Sequence, residues 1–201
     1  MAGTNVGVDR YLGHSLILDA HTKNPMEKMA LARYHAFGHI PTAQTYTVVV
    51  NTLKGIPIIV ARPVTVDRIA FYVQTLALAA VARAGIYNVD SALLPTSLVV
   101  DGGEVSVATT GVKAATISVS LAKGIYLVSI VSNGAPILNA SSTRVVSFLP
   151  LGLEDTTFGY ATAGYNVAFN YAALPNPFTA GYGEWDSATY PLIALRVASL
   201  D

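Results

Sequence analysis

From Gln44 onward the chain alternates apolar and polar positions with a period of two, in short runs closed by turn residues. In "VDRIAFYVQT", Ile69, Phe71 and Val73 share one face and Ala70, Tyr72 and Gln74 the other. In "KAATISVSL", Ile117, Val119 and Leu121 oppose Thr116, Ser118 and Ser120, which predicts a strand with one buried and one solvated face. "GIYLVSIVS" is apolar on both sides and belongs in the middle of a sheet or at an interface. "TYTVVVNTL", "IPIIVAR", "YNVAFNY" and "PLIALRV" read as further strands. Turn signals recur at Asp101-Gly102-Gly103, Thr110-Gly111, Lys123-Gly124 and Asn133-Gly134-Ala135-Pro136, at intervals near the roughly 8–12 residues of sandwiches. The pattern predicts an all-β chain of about ten strands in two sheets, a jelly-roll-like β-sandwich.

The best-punctuated stretch runs from Val81 to Val107. It reads as a strand, a loop closed by Pro95, a second strand, a tight Asp-Gly-Gly turn and a third strand. Alternation puts Ala82, Ala84 and Ile86 on one face of the first strand and Arg83, Gly85 and Tyr87 on the other. Gly85 then serves no turn. It leaves a gap between Arg83 and Tyr87 where a neighbouring backbone or ring can approach, in a tight sheet or subunit contact.

The N-terminal region has a different texture. All four histidines, His14, His21, His35 and His39, lie before residue 43. "NPMEKMALARYHAF" predicts one short helix, with Asn24 as N-cap, Pro25 in the first helical position and Gly38 as the stop. Met26, Met29, Ala30 and Arg33 would share a face that packs on the β domain or on a neighbouring subunit. The expected division is an attachment arm over 1–60, containing the helix, and a sandwich over 61–201.

Residues 150–190 are rich in Gly, Ala, Thr and Tyr and hold Trp185, the single tryptophan. Such aromatic loops suit a contact surface: Tyr182 and Trp185 would stack on sugar rings while Asp155 or Glu184 hydrogen-bonds hydroxyls. The alternative is that the rings pin ordered loops onto the sandwich.

Composition narrows the classes. Of 201 residues, 52% are hydrophobic and only 12% charged, an excess that a large core or a subunit interface absorbs. The most apolar run, Ile69 to Ile86, contains Gln74 and Arg83 and is too short to cross a bilayer as a helix, and no signal peptide is read. Basic and acidic side chains balance at 12 each with no basic stripe, so nucleic acid is not an expected partner. There is no cysteine for disulfides or thiolate metal sites. No nucleophile elbow, P-loop or dinucleotide fingerprint is found. His35 and His39 are four apart, but Gly38 interrupts the helix between them, and no metal or other cofactor is expected. Asp90, Asp101, Glu104, Glu154 and Asp155 are acidic loop residues, and turn or cap duty is the expectation for Asp90 and Asp101.

The run from "ARAGIY" at Ala82–Tyr87 through Leu94-Pro95, Asp101, Gly103, Thr110-Gly111, Gly124 and Tyr126 to "PLIALRV" resembles a β-rich module of bacteriophage virion proteins, the tail-fibre, minor-tail and head-fibre-like structural family. The resemblance spans roughly residues 64–197. It implies a non-enzymatic virion component, assembled in the host cytoplasm, that forms a homotrimer. Its N-terminal arm would bind other virion proteins while the sandwich faces outward. The absence of a coiled-coil or β-helical shaft favours a small fibre, a tail-tip part or a capsid decoration protein, with host-surface glycan as a further partner.

Overall fold

The computed structural model describes residues 29–36, 44–142 and 162–200. Its strands are β1 (Tyr34–Ala36), β2 (Thr45–Thr47), β3 (Thr52–Val60), β4 (Val64–Thr75), β5 (Val81–Val89), β6 (Pro95–Ser106), β7 (Gly111–Leu121), β8 (Gly124–Ser132), β9 (Ile137–Ser142), β10 (Thr162–Ala168), β11 (Gly183–Asp186), β12 (Thr189–Pro191) and β13 (Ala194–Leu200). They form two antiparallel sheets. The 7-stranded sheet runs β1-β13-β4-β9-β12, with β2 on β9 and β7 on β4. The 6-stranded sheet runs β11-β10-β3-β8-β5-β6. The chain is therefore an all-β, two-sheet sandwich, and no described residue is helical.

The inner faces meet in one apolar layer, including Ile56 and Ile58 of β3, Ile69, Phe71 and Val73 of β4, Ala82, Ala84 and Ile86 of β5, and Leu195 and Val197 of β13. Each Val, Leu or Ile removed from water contributes about 1.5–3 kcal/mol, which makes this layer the main stabilising term. Alternation locates it correctly on β4 and β5. On β7, Thr116, Ser118 and Ser120 are exposed and Ile117 and Leu121 buried, with Val119 half-buried between them. β8 lies between β3 and β5 and is buried on both faces from Leu127 to Ser132.

Several expectations need correction. The helix over "NPMEKMALARYHAF" does not form in its described part: Leu31 and Ala32 make a turn and Tyr34–Ala36 is a strand. The exposed backbone edge of β13 is the reason. The Ala32 N–H donates to the Val197 carbonyl at 2.9 Å, the Val197 N–H donates to the Arg33 carbonyl at 3.1 Å, and Tyr34 pairs with Arg196. Ala32 has φ 55, which a right-handed helix forbids. Met29 is buried in the inner core of its own chain, while Met26 lies outside the described residues.

The sandwich also takes in residues assigned to the arm. β3 is an interior strand, bonded to β8 and β10, and supplies Leu53, Ile56, Ile58 and Val60 to the core before residue 61 is reached. "TYTVVVNTL" is two strands, because Asn51 at φ 54 turns the chain between β2 and β3. Asp101-Gly102-Gly103 is not a turn. β6 runs through it unbroken, and the pairing with β5 shifts register there, so the glycines make a bulge. Gly102 is required by crowding: a Cβ would stand 2.7 Å from the Ala115 Cβ and 2.7 Å from the Ala84 carbonyl.

The outer face of the 6-stranded sheet carries the second core. Tyr165, Gly55, Ser129, Gly85 and Asp101 are cross-strand partners on β10, β3, β8, β5 and β6, one row across five strands. Its three central members have almost no side chain and leave a trough. The chain between β10 and β11, residues 169–182, crosses this face as a strap and drops Leu174 and Phe178 into a cluster with Leu53, Tyr87, Leu127, Val131 and Tyr165. A Cβ on Gly85 would lie 2.3 Å from Leu174 Cδ1 and 2.6 Å from the Val100 carbonyl, so the gap read from the sequence receives a side chain of the same chain. Ser129 is fully buried and its hydroxyl has no hydrogen-bond partner among the described residues, so it serves here through its size. Gly85→Ala is expected to destabilise the protein by about 1–3 kcal/mol or more, through overpacking against backbone. Ser129→Ala, which removes a buried unsatisfied hydroxyl, should leave stability equal or higher. Thermal melts of the two variants check the pair. Equal, small effects would contradict the trough.

Candidate functional site

Two polar clusters involve the 6-stranded sheet, and an Arg196–Asp67 ion pair lies on the 7-stranded one. The first fastens the strap. Arg83 on β5 donates to Asp101 Oδ2 at 2.8 Å, and its second nitrogen stands 3.7 Å from Glu104. Asp101 Oδ2 also accepts the Leu174 N–H at 3.0 Å, and Oδ1 accepts the Gly103 N–H at 2.8 Å, which closes the bulge. The Tyr171 hydroxyl donates to Glu104 at 3.1 Å, and desolvation with the neighbouring carboxylate pushes its pKa up to about 12. The Tyr87 hydroxyl donates to the Pro175 carbonyl at 2.8 Å, and burial raises its pKa further.

Both flanks of the strap are tied. The Leu98 N–H donates to Asn176 Oδ1 at 3.0 Å and the Phe178 N–H donates to the Thr96 carbonyl at 2.9 Å. At the other end the Tyr171 N–H donates to Asn51 Oδ1 at 3.1 Å. Tyr87, Phe178, Tyr182 and Tyr165 follow one another in edge-to-face contacts with centroids 4.9, 5.7 and 5.5 Å apart. This arrangement holds a loop still. Both Asp101 oxygens are engaged, by a guanidinium and two backbone amides, which is the work of a structural clamp.

The second cluster is a cage around Lys54. Its ammonium lies 3.7 Å from the Trp185 ring centroid and 5.8 Å from that of Tyr46, and the two rings meet edge to face at 5.3 Å. Lys54 is only 4% exposed and has no ion-pair partner among the described residues. Burial lowers its pKa to about 8, and the ring faces take the place a carboxylate would hold.

The predicted residues are placed as follows. Arg83, Gly85 and Tyr87 come together as one face, and what they contact is the strap. Trp185 is on strand β11, not on a loop tip; it is 9% exposed and belongs to the inner core. Its ring face is covered by Lys54, so a sugar cannot stack there. Tyr182 is half-buried against Tyr165 and Phe178, and Glu184 is exposed and accepts a long 3.4 Å bond from the Thr162 hydroxyl. Asp155, Glu154, His14, His21 and His39 lie outside the described residues. His35 Nε2 accepts the Ala30 N–H at 3.0 Å and secures the turn before β1. No group of three metal-ligating side chains occurs among the described residues. Asp90 has the turn duty read from the sequence, its Oδ1 accepting the Ala92 and Leu94 N–H groups at 2.8 and 2.9 Å.

Sequence reasoning missed Lys54, which sits as an ordinary inward position of a strand with nothing nearby in sequence to mark the cage. It also missed that 169–182 is a covering layer. The absence of any Asp, Glu, Lys, Arg or His between Phe169 and Gly183 was the available signal. The chain matches no protein-family model and no curated protein.

Two outcomes follow. Trp185→Ala should lower stability by about 3–5 kcal/mol, the scale of a large core truncation, and the melting temperature with it. A variant that melts normally would return Trp185 to the surface. Lys54 is charged at neutral pH in both states, so the folded protein bears the whole desolvation cost there. As pH rises from about 8 toward 10.5 the folded state releases the proton first, and that cost disappears. Lys54→Met should therefore match or exceed wild-type stability at pH 7, with the difference shrinking between pH 8 and 10. Denaturant titrations across that range test the sign; a difference that grows with pH would contradict it.

Proposed function

We propose that this protein is a non-enzymatic structural component of a bacteriophage virion, a small tail-fibre, tail-tip or capsid-decoration part. It forms a homotrimer, displays a jelly-roll-like sandwich outward and attaches to other virion proteins through its N-terminal residues. It is assembled in the host cytoplasm and works in the particle.

The observation that carries the reading is the use made of the resembling residues. Arg83, Gly85, Tyr87, Asp101 and Gly103 all belong to one construction, the strapped outer face of the 6-stranded sheet. Leu94 and Pro95 close the β5–β6 connection, and Tyr126 donates to the Ala122 carbonyl at 3.2 Å to brace the β7–β8 turn. A motif whose Arg83, Tyr87, Asp101 and Tyr126 are engaged in holding the fold describes a scaffold. The alternative, an adhesin reading host glycans through Tyr182, Glu184 and Trp185, requires an open aromatic platform, and the Trp185 ring is occupied by Lys54.

The test is made on purified particles of the phage that encodes the chain. Mass spectrometry is expected to find it at a fixed copy number, and antibody labelling of its C-terminus to mark one site per structural repeat in electron micrographs. Its absence from purified particles, with abundant free protein in the lysate, would overturn the reading.

A further inference from the structure

The two ends of the sandwich differ in charge. At one end lie the connections β2–β3 (48–51), β4–β5 (76–80), β6–β7 (107–110) and β8–β9 (133–136). None of them contains an Asp, Glu, Lys, Arg or His. The strap 169–182, which leaves β10 at this end, contains none either. Lys113 reaches the rim, where its ammonium donates to the Thr109 hydroxyl. At the opposite end the connections β3–β4, β5–β6 and β7–β8 expose Arg62, Asp90 and Lys123.

The uncharged end is also apolar. Leu78 is 83% exposed and Val49 51%, with Val50 and Leu76 beside them in the same connections. On the adjoining outer face of the 7-stranded sheet, Tyr72 and Val112 are cross-strand partners, and Val112 is 66% exposed. Isolated exposed apolar residues are ordinary; a group gathered on one uncharged end is not.

This end is stiff. The Ala77 N–H donates to the Val107 carbonyl at 3.1 Å, and the Val107 N–H donates to the Ala80 carbonyl at 3.0 Å. The Val48 N–H reaches the Pro136 carbonyl at 3.0 Å, the Asn51 N–H reaches the Ser132 carbonyl at 3.0 Å, and the Val81 N–H is held by Asn133 Oδ1 at 2.9 Å. Gly134 admits Ala77 and Ala80 so closely that a Cβ would stand 2.5 Å from Ala80 Cβ. Asn51 and Ala79 are both non-glycine residues in the left-handed region, at φ 54 and 55, held there by these bonds. The leucines are presented on a fixed frame, so docking them orders little that is not already ordered.

We infer that copies of this chain meet through the uncharged end, packing Leu78, Leu76, Val49 and Val50 around a rotation axis. The occupant is a second copy, selected by electrostatics. At a rotation axis each side chain near the axis faces its own image, so an ionisable group there would repel itself; the four connections at this end have none, with Lys113 standing at the rim, whereas the connections at the other end carry Arg62, Asp90 and Lys123. The inference rests on the self-assembly in the reading above and adds the surface through which it occurs.

The test is sedimentation equilibrium on the full chain. Wild type is expected to be oligomeric at micromolar concentration. Leu78→Asp combined with Val49→Asp should weaken association about a hundredfold or more while leaving a cooperatively folded monomer, since neither side chain is buried within the single chain. Leu94→Asp, an exposed apolar residue at the charged end, should leave the oligomer intact. The chain has no cysteine, so Leu78→Cys gives a single thiol that mild oxidation should couple between copies, while Lys123→Cys should not couple. An oligomer that survives the Asp pair, or dissociates with Leu94→Asp, would overturn this docking surface and leave self-assembly standing. A monomeric wild type would overturn both.

Discussion

Much of this molecule depends on one contact, Leu174 seated over Gly85. A sheet in a two-layer sandwich ordinarily turns one face to the core and one to water. Here β3, β8 and β5 are largely buried on both faces, and the second face needs a cover. Gly55, Ser129 and Gly85, aligned across those strands, lower the surface enough for the 169–182 strap to lie in it. Arg83, Asp101, Tyr87 and Asn51 then hold the strap by its backbone. The trough and the strap are mutually required. A larger residue in the row would lift the strap, and loss of the strap would expose Leu53, Tyr87, Leu127 and Val131.

The Lys54 cage shows the same economy of partners. A buried ammonium without a carboxylate is costly, and two aromatic faces recover part of that cost. It also fixes the fate of Trp185. The tryptophan is a lid over a cation inside the inner layer, and Tyr165, Phe178 and Tyr190 are buried with it among the described residues of the last third of the chain. Among the described residues, the most exposed large apolar side chain is Leu78, with Val49, Val50 and Leu76 in the same uncharged connections.

The β class, the buried faces of β4, β5 and β7, the interior place of β8 and the close approach at Gly85 were legible in the sequence, because period-two alternation and a glycine inside a strand report directly on a pleated sheet. What was not legible depends on partners distant in sequence. Tyr34–Ala36 is a strand because β13 offers it an edge 160 residues away (His35 opposite Leu195), and local helix signals could not register that. Asp-Gly-Gly reads as a turn by local chemistry, yet Ala84 and Ala115 crowd Gly102 and keep β6 continuous. Trp185 was expected at a surface because of its loop-like neighbours, and only the pairing of β11 with β10 turns it toward Lys54.

The central claim is that the strap belongs to the fold as a second core layer. Amide hydrogen exchange tests it most directly. The account predicts that the Leu174 and Phe178 amides, bonded to Asp101 and to the Thr96 carbonyl, exchange only with the global opening that also releases the amides of β8. Exchange of those two amides at the rate of an unstructured peptide, while β8 stays protected, would contradict it.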